Sequence, residues 1–165
     1  MPFLWDCTKW KKRYKGTEKE LKAGLRLRIE KGVDPFVRDI CLEFGKWLRK
    51  EYLFPVRVNV YVKEAARIRA TNGELVCGTC WRPDCKYETP YIKIATGDFN
   101  ELCDQRGREN AIAEILLVIA HELTHYYQWL NDIELTAVGE ERQALRYADN
   151  IVSYFYDDRG GFLSV

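Results

Sequence analysis

The chain has 165 residues, 47% of them hydrophobic, and 26 lysines and arginines stand against 25 aspartates and glutamates. That length suits one domain, over residues 1–165, with a single sizeable core. A balance this close to zero supplies no global field for nucleic acid or an anionic membrane, so neither is expected as a partner. The start, MPFLWDCTKWKKRYKG, has no apolar stretch behind a charged opening, and the longest apolar run, 115–120, is too short for a bilayer. A cytoplasmic protein is expected, with its six cysteines as thiols or metal ligands rather than disulfides. Lys9, Lys11, Lys12, Arg13 and Lys15 read as a solvated face.

In chain order, Thr17-Glu18-Lys19-Glu20 has the form of a capping box. It predicts a helix over about 17–31, closed by Gly32, with Leu21, Leu25 and Ile29 as its buried stripe. Asp34-Pro35, an N-cap before a proline, opens a second helix to about residue 52. Val37, Ile40, Cys41, Phe44, Trp47 and Leu48 share one face of it. After Pro55 the period becomes two: Val56, Val58, Val60 and Val62 alternate with Arg57, Asn59, Tyr61 and Lys63, a half-buried strand. Thr71-Asn72-Gly73 predicts a turn, and 75–81 and 90–96 two more strands, the latter on Tyr91, Ile92 and Ile94. Residues 108–130 read as a helix, apolar almost all round over 111–120 and therefore central. A loop, NDIELTA, precedes a last helix over about 138–156. Two helices, a small sheet and two helices make a compact α+β domain.

Both histidines of the chain lie in His121-Glu122-Leu123-Thr124-His125, an H-E-x-x-H motif inside the central helix. Residues four apart on a helix lie one above the other, so both imidazoles can reach one Zn²⁺. Glu122 flanks that face, placed to take a proton from a water without ligating the metal. Burying two unpartnered imidazoles and a carboxylate in an apolar helix would cost several kcal/mol, which a metal relieves.

A catalytic zinc takes three protein ligands and keeps one position open. No third histidine exists, so the third ligand is a downstream carboxylate or an upstream cysteine. GEERQALRYADN supplies Glu140 and Glu141 early in the last helix. From Glu141, Ala144, Ala148 and Asp149 fall along one side, and small residues there let the two helices approach. That favours Glu141 over Glu140, which points about 100° away, and over Glu134 in the loop.

The pair HELTH and ERQALRYA resembles the gluzincin class of zinc metallopeptidases, particularly the small minigluzincins. It also resembles the peptidase domain of the ImmA/IrrE group, whose E-x-x-A-x-x-[FY]-A motif is met by Glu141, Ala144, Tyr147 and Ala148. The matching stretch covers roughly 90–150. The resemblance implies a zincin-like fold, with a small mainly antiparallel sheet, a central HExxH helix, a glutamate-bearing C-terminal helix and two N-terminal helices outside the match. It implies His121, His125 and Glu141 as zinc ligands, Glu122 as general base, and hydrolysis of a peptide or protein substrate. That substrate would pair with the sheet edge from Tyr91 to Thr96. Larger gluzincins place an Asp four residues after the ligand glutamate, where this chain has Leu145; Asp149 is the substitute for orienting a histidine. No residue matches their oxyanion-binding His or Tyr, and Tyr126, Tyr127, Tyr147 and Tyr154 are the candidates.

Two other readings stand beside this one. Cys77-Gly-Thr-Cys80 with Cys85 and Cys103 has half the spacing of a structural zinc site. An upstream cysteine as third ligand would resemble peptide deformylase, whose E-G-C-L-S stretch is absent here. The rival from another class is a zincin-fold regulator or interaction module with little peptidase activity. Retention of Glu122 speaks for catalysis, since a structural zinc needs no base.

Overall fold

In the computed structural model, which describes residues 3–161, the N-terminal segment departs from expectation at once. Residues 1, 2 and 162–165 of the expected domain lie outside the described residues. Two short 3₁₀ turns, Leu4–Asp6 and Lys9–Lys12, lead to α1 (Glu18–Lys22), and β1 (Leu25–Ile29) follows. Thr17 does cap, its hydroxyl accepting from the Glu20 N–H at 3.3 Å, but the helix ends after 5 residues. Leu21, Leu25 and Ile29 satisfy a period of two as well as one near four, and LRLRI is itself an alternation. Gly24 decides between them. A Cβ there would lie 2.0 Å from the Phe54 carbonyl oxygen, an approach only glycine permits. The Gly24 carbonyl then accepts from Val58 N–H at 2.9 Å, and β1 runs on beside β2 (Val58–Lys63) with Leu25 opposite Val58. The expected first helix is thus corrected to one helical turn and a strand.

The next helix is as expected. In α2 (Pro35–Glu51) the Asp34 carboxylate accepts from the N–H of Phe36 at 2.8 Å and of Val37 at 3.4 Å. Val37, Ile40, Cys41, Phe44 and Leu48 are buried, and Trp47 is half-buried at the edge of that face. A helix between β1 and β2 returns the chain to the same end of the sheet, so the two pair in parallel.

Val58, Val60 and Val62 bury one face of β2. Gly73, at φ +88°, turns the hairpin of β3 (Ile68–Arg69) and β4 (Leu75–Val76). The strand expected over 75–81 is broken at Cys77, because β4 pairs with β3 whereas β5 (Gly78–Trp81) joins the main sheet. There it runs antiparallel to β6 (Tyr91–Ala95), which runs parallel to β2. The order is β1-β2-β6-β5, so the expectation of a mainly antiparallel sheet is corrected to a mixed, mostly parallel one. The expected substrate edge from Tyr91 to Thr96 is corrected with it. Strand β6 is paired on both sides, and β5 holds the edge.

A short helix that the sequence reading lacked, α3 (Phe99–Arg106), follows, and Gly107 at φ +85° turns the chain into α4 (Arg108–Leu130). Helix α4 is buried along most of its length, packed on β5 and β6 on one side and α5 (Ala137–Asp158) on another. Thr136 starts α5, its hydroxyl accepting from Gly139 N–H at 3.0 Å. Among the described residues no helix is long and apolar enough to cross a membrane.

Candidate metal centre

One turn of α4 separates His121 from His125, and both point their Nε2 atoms at α5. Glu141 meets them there, with Oε2 3.1 Å from His121 Nε2 and Oε1 3.0 Å from His125 Nε2. The three ligand atoms lie within 4.8 Å of one another, a grouping that could hold a metal ion. Buried Ala144 and Ala148 are what let α5 come this close. Neighbouring Glu140 turns elsewhere and pairs with Arg82, Oε2 to Nη2 at 3.2 Å. Glu134 lines a separate hollow with Arg82, Asp84 and Lys86.

Proton bookkeeping tests whether this donor set suits a cation. Gln128 is buried and bridges the two helices: its Nε2 donates to the Glu140 carbonyl at 3.1 Å and to Gln143 Oε1 at 3.0 Å. Those two acceptors fix the amide, so Gln128 Oε1 faces His125 Nδ1 at 2.8 Å. An acceptor there requires Nδ1–H. A neutral His125 then turns the lone pair of Nε2 toward a carboxylate oxygen 3.0 Å away. Two facing lone pairs need a cation or an extra proton between them. Burial, and then His125, hold the His121 imidazole below its ordinary pKa, against the pull of Glu141. The residues therefore fit a zinc-type ion, with neutral imidazoles and a carboxylate as ligands.

Glu122 stands next to them, only 7% exposed and without a hydrogen-bond partner among the described residues. Burial, reinforced by Glu141 and partly offset by Arg82, pushes its carboxyl up to about 8. Strand β5 passes directly over it. A Cβ on Gly78 would lie 3.4 Å from Glu122 Oε1 and 2.6 Å from Val118 Cγ1, so a side chain here would force Val118 to shift. The Ala95 N–H donates to the Cys77 carbonyl at 2.8 Å. By the alternation of an antiparallel ladder, the N–H and C=O of Gly78 and Cys80 then face the unpaired side of the edge.

The chain matches no family model, no curated protein and no solved structure.

The other expected residues are scattered. Asp149 lines the cleft beside His121 but is exposed and makes no hydrogen bond to either histidine. Tyr126 and Tyr127 are core residues, a correction to their candidacy at the site: their hydroxyls donate to the carbonyls of Val56 and Leu53, each at 2.7 Å. Tyr147 packs edge-on against Phe3 at 4.7 Å, with Tyr154 at 6.3 Å from the same ring. None of the four tyrosines lines the cleft. All six cysteines are free, and Cys77, Cys80, Cys85 and Cys103 form no metal-holding group among the described residues. Sequence reasoning missed Gln128, Arg82 and Gly78. Only Gln128 carried a readable signal, three residues past His125 on the same helical face.

Proposed function

We propose that the chain is a zinc-dependent peptidase acting on extended polypeptide. The observation that carries this reading is the meeting of His121, His125 and Glu141 beside a Glu122 and under an outer strand edge that both lack hydrogen-bond partners among the described residues. His121, His125 and Glu141 would hold the ion, which when bound supplies Lewis acidity toward a water and a peptide carbonyl. Gly78 and Cys80 offer a substrate backbone N–H and C=O partners, aligning it over α4 by strand addition. Glu122 removes the proton from the attacking water. It then delivers that proton to the departing amide nitrogen. Gln128 holds His125 in the Nδ1–H tautomer that leaves Nε2 free to ligate.

The test compares zinc-loaded protein with Glu122→Gln on unfolded polypeptides and a mixed peptide library. Zinc content should be unchanged, and cleavage should fall by roughly 10²–10⁴-fold. Equal cleavage by both would sink the general-base role. Stoichiometric zinc without cleavage by either would favour a metal-holding regulator on the same fold.

A further inference from the structure

Past His121 and Glu122 the cleft continues into a cavity of about 320 Å³ between α4, α5 and β5. Its apolar wall is built from Leu117 and Val118 of α4 and Leu145 and Ala148 of α5. Leu145 is a large apolar side chain left 61% exposed there. Among the described residues, the ionisable groups in the lining besides His121, Glu122 and Cys77 are two carboxylates, Glu114 and Asp149, with no lysine or arginine. Glu114 is paired with Arg106 at 2.7 Å, whereas Asp149 has no ion-pair or hydrogen-bond partner among the described residues. Glu122, buried and without a hydrogen-bond partner among the described residues, opens into the same space.

We propose that this cavity receives a lysine or arginine side chain of the substrate, from the residue adjoining the bond presented to Glu122. The apolar wall takes the methylene stem, and Asp149, the carboxylate of the lining left without an ion pair among the described residues, takes the cationic end. Lys and Arg are the side chains with this division, an apolar stem and a charged tip that stays near water. An acidic side chain would meet like charge, and a neutral one of equal length would keep the wall contact and lose the ion pair. That this residue adjoins a scissile bond rests on the peptidase reading; the preference of the cavity does not.

Peptides of the form acetyl-Ala-Ala-Xaa-Ala-Ala-amide, with Xaa as Lys, norleucine or Glu, separate the two. Cleavage is followed on zinc-loaded protein, and affinity by chemical-shift titration on its zinc-loaded Glu122→Gln variant. Lys is expected to exceed norleucine about fivefold in either readout, the scale of one partly exposed ion pair, and Glu to rank last. Asp149→Asn should bring the Lys-to-norleucine ratio toward one, and Asp149→Lys should place Glu above Lys. Cleavage with no ranking among the three peptides overturns the cavity assignment and leaves the peptidase reading standing. Ranked binding that depends on Asp149 without cleavage supports the assignment and removes the peptidase reading. Neither cleavage nor ranked binding overturns both.

Discussion

The sheet has two outer strands, and they are finished differently. Strand β1 exposes Arg26 and Arg28 along its length, and Arg49 reaches its first carbonyl, that of Leu25, at 3.5 Å. Charges on an outer strand deter another chain from pairing with it. Strand β5 carries no charge from Gly78 to Trp81, is half-buried throughout, and lies over the histidine-bearing helix. One edge is guarded and the other is left open above the candidate metal centre. Under the proposed function, strand addition falls to β5 rather than to the Tyr91–Thr96 stretch that the family resemblance implied.

Removing what lies beneath the open edge should have the largest effect. His125→Ala and Glu141→Ala are each expected to abolish stoichiometric zinc binding, about one ion per chain, as measured by metal analysis after dialysis. Retained zinc in Glu141→Ala would show that the carboxylate is not a ligand. Gln128→Ala should keep the ligands but release the His125 ring, weakening zinc by roughly 10- to 100-fold in a competition titration. Gly78→Val tests the edge itself. Its side chain must enter the space of Val118 and Glu122, so it should cost about 1–3 kcal/mol in denaturant unfolding and suppress cleavage. Arg28→Ala on the guarded edge should change stability by less than about 0.5 kcal/mol and leave zinc uptake alone. If both substitutions affect cleavage equally, the contrast between the edges fails.

A smaller effect than that of Gly78→Val concerns how the far end of β5 is held. Beyond Trp81 the chain is tied to the end of α4 by Trp129 Nε1–H donating to the Pro83 carbonyl at 2.6 Å and by Lys86 pairing with Asp132 at 3.0 Å. Hydrogen bonds from Arg13 and then Lys86 hold the Asp132 carboxyl below its ordinary 3.8. A depressed carboxyl adds stability above the pKa of the unfolded chain, and that stability is lost as pH falls through the folded value. Asp132→Asn should therefore lower stability by at most about 1 kcal/mol near neutrality and flatten its decline in acid. An unchanged acid limb would mean that this tether contributes nothing.

Local chemistry carried much of the architecture. Asp34-Pro35 set the start of α2, and the apolar run over 111–120 set the central place of α4. The i, i+4 spacing of His121 and His125 put both imidazoles on one face before any fold was known. These are short-range effects, complete within a turn or two of helix. The spacing of Leu21, Leu25 and Ile29 was ambiguous because four residues is both two strand repeats and about one helical turn. Contact between Gly24 and the Phe54 carbonyl resolved it. The phase of Ala144 and Ala148 already set Glu141 rather than Glu140 on the side facing α4, whereas tertiary structure alone paired Glu140 with Arg82, set Gln128 between α4 and α5, and chose β5 as the open edge. Each depends on which segments, distant in the chain, come to lie side by side, and periodicity says which face of an element is buried without naming the neighbour that buries it.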